Sequence, residues 1–169
     1  PTTTTLLQTA AANGHLEMVR VLLKRGARVD LPSRLGQTAL MDAAYHSHLS
    51  ILLLLLQYSA NIDLQNVDGV TALMAAAGSG HEACVQALLR AKANTELLDI
   101  KYGDTALQWA KSNGHTAIAQ LIRRHNAPPQ PADPPDAGEP ADSSRASLPV
   151  EILESAARGK LQTVVKWLR

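Results

Sequence analysis

Four threonines set the frame of this chain: Thr5, Thr38 and Thr71 stand 33 residues apart, and Thr105 follows 34 later. A period of that length is the mark of stacked helical repeats, each too small to bury its apolar face alone. The copy from Gly69 to Leu89, GVTALMAAAGSGHEACVQALL, is the best formed, and three other segments align on it. The one extra residue before Thr105 falls between Asp99 and Gly103.

The first copy, TLLQTAAANGHLEMVRVLLKRGARVD, shows two short helical patterns separated by Asn13 and Gly14. Leu7, Ala10 and Ala11 give the first helix a small-residue face. Leu16, Val19, Leu22 and Leu23 give the second an apolar stripe at amphipathic spacing. Gly26 ends that second helix, because glycine takes the left-handed conformation without a Cβ clash. Pro32 and Gly36 then mark an extended turn.

The strings TLLQTAA, GHLEMVRVLL and GARVD resemble an ankyrin repeat, whose usual pattern is Thr-Pro-Leu-His-x-Ala-Ala, Gly-His, a Leu-rich helix and Gly-Ala-x-x-Asn. The second copy matches from TALMDAA at Thr38 and the third from TALMAAA at Thr71. The fourth matches from TALQWAK at Thr105. The resemblance implies an all-α fold: a solenoid of stacked helix-turn-helix units with short β-hairpin fingers, the fingers and first helices forming a concave face. Four repeats are expected at about 5–33, 34–66, 67–99 and 100–126.

The departures from the pattern carry their own expectations. Leu6, Ala39, Ala72 and Ala106 stand where the family has proline, and Gln8, Met41, Met74 and Gln108 where it has histidine, so the usual threonine–histidine network must be altered. Ser47 replaces a turn glycine, while Ser59 and Lys92 replace helix-ending glycines, each costing about 1 kcal/mol if the backbone stays left-handed. The second and third repeats should therefore be the looser ones. Asn126, at the same position in the fourth copy, tolerates that conformation better. Arg123 occupies the position of Leu23, Leu56 and Leu89, which suits a water-facing end and reads as a capping repeat.

Residues 127–147 contain six prolines and several acidic residues with no apolar face, the composition of an extended or disordered linker. Its PPQPADPP run also favours polyproline II, although such segments more often serve as spacers. Residues 148–169, LPVEILESAARGKLQTVVKWLR, regain the helix-turn-helix pattern and resemble the opening half of a further repeat, the start of another array or a cap. The chain does not open with methionine, as expected of a fragment or a processed chain.

Composition narrows the function. A formal charge of +1 gives no electrostatic reason to expect nucleic acid. The longest apolar run, Ile51 to Leu56, is far short of the roughly 20 residues of a membrane span. Cys84 is the single cysteine, so neither a disulfide nor a cysteine cluster can form within one chain, which favours a cytoplasmic or other intracellular compartment.

No chemistry-bearing constellation rises above a structural reading. His15, His81 and His115 recur once per repeat, and the resemblance assigns this histidine to binding backbone between loops rather than metal. His46 and His48, two apart, point to different helix faces. Cys84 aligns with Met18, Ile51 and Ile118 at core positions, as expected of a buried inert thiol. Asp42, Asp63, Asp68, Glu82 and Asp99 are scattered, and Gly78, Ser79 and Gly80 form an inter-helix turn, not a phosphate loop. No enzyme activity, cofactor or metal is expected.

What remains is a binding face, transferred by position from the family. It comprises the finger residues Arg34, Leu35, Gln37, Val67, Asp68, Val70, Ile100, Lys101, Tyr102 and Asp104. The first helices contribute Tyr45, His46, Trp109, Ser112 and Asn113, together with the exits at Ala12, Asn13, Gly78 and Ser79. Tyr45, Tyr102 and Trp109 stand out because only 3% of the chain is aromatic and interface hot spots are enriched in such residues. Trp109 serves equally well as filler between first helices. Leu53 should be exposed on the outer helices. The function these features suggest is a non-catalytic module binding another protein. The alternative is a structural linker or scaffold subunit whose residues 148–169 make a head-to-tail contact with a neighbouring array.

Overall fold

The computed structural model describes residues 5–127, which form four helix pairs. The linker and the half-repeat expected over 148–169 lie outside them. The inner helices are α1 (Leu6–Ala12), α3 (Ala39–Tyr45), α5 (Ala72–Gly78) and α7 (Ala106–Ser112). The outer helices are α2 (Leu16–Lys24), α4 (Leu49–Gln57), α6 (Glu82–Arg90) and α8 (Thr116–Asn126). Each pair packs on the next in chain order.

The threonine period has a direct cause. Thr5, Thr38, Thr71 and Thr105 each sit extended before an inner helix, and each hydroxyl accepts the backbone N–H three residues on. That is the N-cap role of threonine. Gln8 and Gln108 complete capping boxes by accepting the N-cap N–H, so the missing histidines are replaced here by local amide bonds. Gln8 also donates to the carbonyls of Leu31 and Gln37, joining the first helix to the next finger.

The inner helices approach closely because their shared face is small. Ala11, Ala43, Ala44, Ala76, Ala77 and Ala110 are wholly buried. Between inner and outer layers lie Leu40, Leu52, Leu55, Leu73, Leu88, Ile118 and Ile122, forming one continuous core. Histidines bridge the layers between repeats: Nε2 of His48, His81 and His115 donates to the carbonyls of Ala12, Tyr45 and Gly78 at 3.1, 2.8 and 3.1 Å. A second set of bonds joins the outer ends, where Asp30 accepts the Asn61 N–H and Asp63 accepts the Asn94 N–H.

The outer helices of the first three repeats end alike. Gly26, Ser59 and Lys92 are left-handed (φ 84°, 60° and 65°), and the following alanine N–H donates back to Leu22, Leu55 or Leu88. Ser47 is likewise left-handed at φ 63°. The fourth repeat corrects the expectation for Asn126, which continues α8 instead of closing it. Pro128 follows Ala127 in the sequence and disfavours the helical conformation there, so Ala127 is extended (φ −66°, ψ 137°) and no left-handed cap forms. Asn126 instead bonds Thr95 and Glu96 of the preceding repeat, both at 3.0 Å. Arg123 is exposed.

The fingers are tight turns, and no strand ladder forms among the described residues. Their bases repeat every 33 residues at Ser33, Asn66 and Asp99, whose side-chain oxygens each accept two backbone N–H groups of their own finger. Neighbouring fingers touch through backbone: Val67 N–H donates to Leu35 O at 3.0 Å and Ile100 N–H to Asp68 O at 2.8 Å. Gly69 is needed at the second junction on two counts. Its φ is 77°, and an added Cβ would lie 2.8 Å from Ile100 N.

Candidate functional site

The expected binding residues divide into three groups, and in the fourth repeat the finger and the end of the inner helix line one cleft. Leu35, Val67 and Ile100 project from successive fingers and are largely exposed, as are Arg34 and Asp68. Two other finger residues are committed to the scaffold. The Gln37 carbonyl oxygen accepts from Asn66 Nδ2 at 3.1 Å, and Val70 is half-buried against the core.

The second group lies at the end of α3. Tyr45 is 55% exposed and meets His46 edge to face, with ring centroids 5.0 Å apart. His46 in turn stacks on His48 at 6.2 Å, which corrects the expectation that the two face different ways: they flank the turn between α3 and α4 and do not share one helix. Asp42, one turn earlier, is half-buried; desolvation pushes its carboxyl above the ordinary value, and Gln37 and His46 offset this only in part.

The third group is the most developed. Tyr102, Asp104, Trp109, Ser112 and Asn113 line a small cleft of about 180 Å³ between the last finger and α7. All five were singled out from sequence. Trp109 is neither wholly exposed nor wholly core: its ring is half-buried, its six-membered edge lies against the Gly78 position, and its indole N–H donates to Asp99 Oδ2 at 2.6 Å. Asp99 Oδ1 accepts the N–H groups of Tyr102 (2.7 Å) and Gly103 (3.1 Å). Burial pushes the Asp99 carboxyl up, but these hydrogen bonds, led by the Tyr102 backbone, outweigh it and hold the group below its ordinary value.

Asp99 is thus the organiser of the lengthened finger, a role its place among scattered carboxylates did not reveal. In the shorter fingers Ser33 and Asn66 accept from residues two and four ahead, whereas Asp99 accepts from three and four ahead, which absorbs the inserted residue. Beyond the carboxylate, Lys101 is exposed with Nζ 4.9 Å from the Tyr102 ring centroid.

On the opposite, outer side Leu53 is 49% exposed, as expected, and joins Leu16, Arg20 and Gln57 along a shallow groove. Cys84 is fully buried and desolvation pushes its thiol up, leaving little nucleophile. Among the described residues no cluster of three or more His, Cys, Asp or Glu side chains could hold a metal ion, and no helix is long and apolar enough to cross a membrane.

The family model described as ankyrin repeats (3 copies) matches residues 1–66 and again 58–133. No curated protein matches the chain.

Proposed function

The chain belongs to the ankyrin-repeat family, whose domains are generally protein-binding modules, and from that premise we propose that it binds a protein partner through its fingers and inner-helix exits without catalysing a reaction. The observation that carries this reading is the exposure of large side chains on a hydrogen-bonded frame. Tyr102 is 68% exposed and Ile100 74%, yet their finger is fixed by Asp99 and by the Ile100–Asp68 backbone bond. A surface fixed before contact limits the ordering cost of association, so many weak contacts add up to useful affinity. Aromatic side chains are the favoured anchors of such surfaces.

The test is a partner recovered on the full chain, then titrated by calorimetry against wild type, the Tyr45→Ala/Tyr102→Ala double variant and a Leu53→Ala control on the outer face. The double variant should weaken binding about tenfold or more, with Leu53→Ala unchanged. Equal affinity for wild type and the double variant would overturn the assignment.

A second reading, that of a structural linker, is favoured by the first repeat. Leu6, Met18 and Val21 are 62%, 48% and 48% exposed, whereas their counterparts Ala39, Ile51 and Leu54 are buried by the preceding repeat. This apolar face suits a further helix pair, and residues 148–169 of another copy have the matching sequence pattern. Sedimentation with and without residues 148–169 decides it: loss of self-association on truncation supports stacking, and a monomer in both cases counts against it.

A further inference from the structure

We propose that the cleft between Tyr102 and Trp109 takes the guanidinium of a single arginine side chain presented by the protein partner, an inference that rests on this face being the binding face. The lining combines two aromatic rings with one carboxylate, Asp104, and the polar side chains of Ser112 and Asn113. A planar cation is the group that satisfies all of these, stacking on rings while donating hydrogen bonds to the carboxylate and to side-chain oxygens.

Several features single out this repeat. The positions corresponding to Trp109 hold Thr9, Asp42 and Ala75, and those corresponding to Asp104 hold Gln37 and Val70. Only the last repeat therefore pairs an indole with a carboxylate. The two carboxylates nearby have different duties. Asp99 is occupied by Tyr102, Gly103 and Trp109, whereas the Asp104 side chain has no hydrogen bond or ion pair with any described residue. An unpaired carboxylate beside aromatic surface is complementary to a cation and unfavourable for an anion.

The Trp109 ring is itself prepared for a cation. The Trp109 N–H donates to an ionised carboxylate, which shifts electron density toward the indole ring and strengthens its attraction for positive charge. Lys101 places its ammonium 4.9 Å from the Tyr102 centroid without lining the cleft, so that ring is shared with a resident cation and Trp109 is the principal stacking surface. At about 180 Å³ the space is smaller than the roughly 300–1,000 Å³ of small-molecule sites and suits one extended side chain. Access is open at the rim, where Tyr102 is 68% exposed.

The experiment titrates the ¹⁵N-labelled full chain with N-acetyl-arginine amide and, separately, with the uncharged N-acetyl-norleucine amide. The readout is the indole N–H resonance of Trp109, told apart from that of Trp167 by a Trp167→Phe chain. The arginine amide should shift this resonance and saturate in the millimolar range, the norleucine amide should not, and Asp104→Asn should weaken the arginine response about tenfold. The backbone amide spectrum of Asp104→Asn verifies that the fold is kept. Equal responses to both amides, or none to arginine, would overturn the arginine assignment. Either result leaves the partner affinities of the Tyr45/Tyr102 experiment unaffected, so failure of the cleft is separable from failure of the binding face.

Discussion

The Trp109 indole N–H donates to Asp99 Oδ2 at 2.6 Å, tying the last inner helix to the base of the last finger. The same carboxylate closes the finger through Tyr102 and Gly103, so one side chain holds both walls of the cleft. The lengthened finger is therefore a built element whose geometry depends on Asp99.

Replacing Asp99 by Asn keeps the shape but removes the charge that three donors face. Charge-assisted bonds are the stronger ones, so Asp99→Asn should lower stability by about 1–3 kcal/mol at neutral pH. The sign with pH follows from the depressed carboxyl. Its contribution is present above the unfolded value of about 4 and is lost as pH falls through the folded one. Denaturant unfolding of both chains should give curves that differ at pH 7 and begin to converge only as pH falls below about 4. A gap that persists undiminished in acid would show that the charge is not what holds the finger.

Asp42 should behave with the opposite sign. Its carboxyl is raised by desolvation, so the folded state disfavours the charged form. The stability it permits is full below the unfolded value and falls as pH rises through the folded value. Asp42→Asn should raise the unfolding temperature at pH 7 and leave it unchanged near pH 3. Thermal scans at the two pH values read this directly, and an unfolding temperature lowered at pH 7 would show that contacts to Gln37 and His46 dominate instead.

The helices and their order were legible because each signal is local. A threonine three residues before a partner N–H, a small-residue face and a turn glycine all act within one repeat. The chemistry of the face was legible only in part. Tyr45 and Tyr102 are both exposed. The commitment of Gln37 to Asn66 depends on a residue 29 positions away, and that of Asp99 depends on how an inserted residue is folded. Asn126 misled for a comparable reason: its alignment with Gly26 was sound, but Pro128 changes how the helix ends.

The left-handed residues give a stabilising prediction. Ser59 and Lys92 hold φ of 60° and 65° at helix ends where Gly26 performs the same role without a side-chain clash. Ser59→Gly and Lys92→Gly should each stabilise the chain by about 0.5–1 kcal/mol, adding when combined because the sites lie in different repeats. Hydrogen exchange should show the gain in the amides of the second and third repeats, where the strain resides. No gain in either variant would mean that the extra freedom of glycine in the unfolded chain cancels the relief of strain.

Gly78 should respond in the reverse of the usual way. At the end of α5 its backbone is helical, and alanine there would ordinarily add about 0.5–1 kcal/mol. The added Cβ, however, would lie 2.6 Å from Trp109 Cε3 and 3.4 Å from Cζ3, too close for the ring to stay in place. The ring must then tilt away from α5, and its 2.6 Å bond to Asp99 goes with it. Gly78→Ala should therefore gain no stability and should alter the near-ultraviolet circular dichroism and the Trp109 indole resonance, while the helical signal stays intact. Asp99 would lose one of its three donors, so the finger that carries Tyr102 should exchange its amides faster. A stabilised chain with an unchanged Trp109 resonance would show that the ring yields without leaving Asp99, and that the close contact at Gly78 does not set the geometry of the cleft.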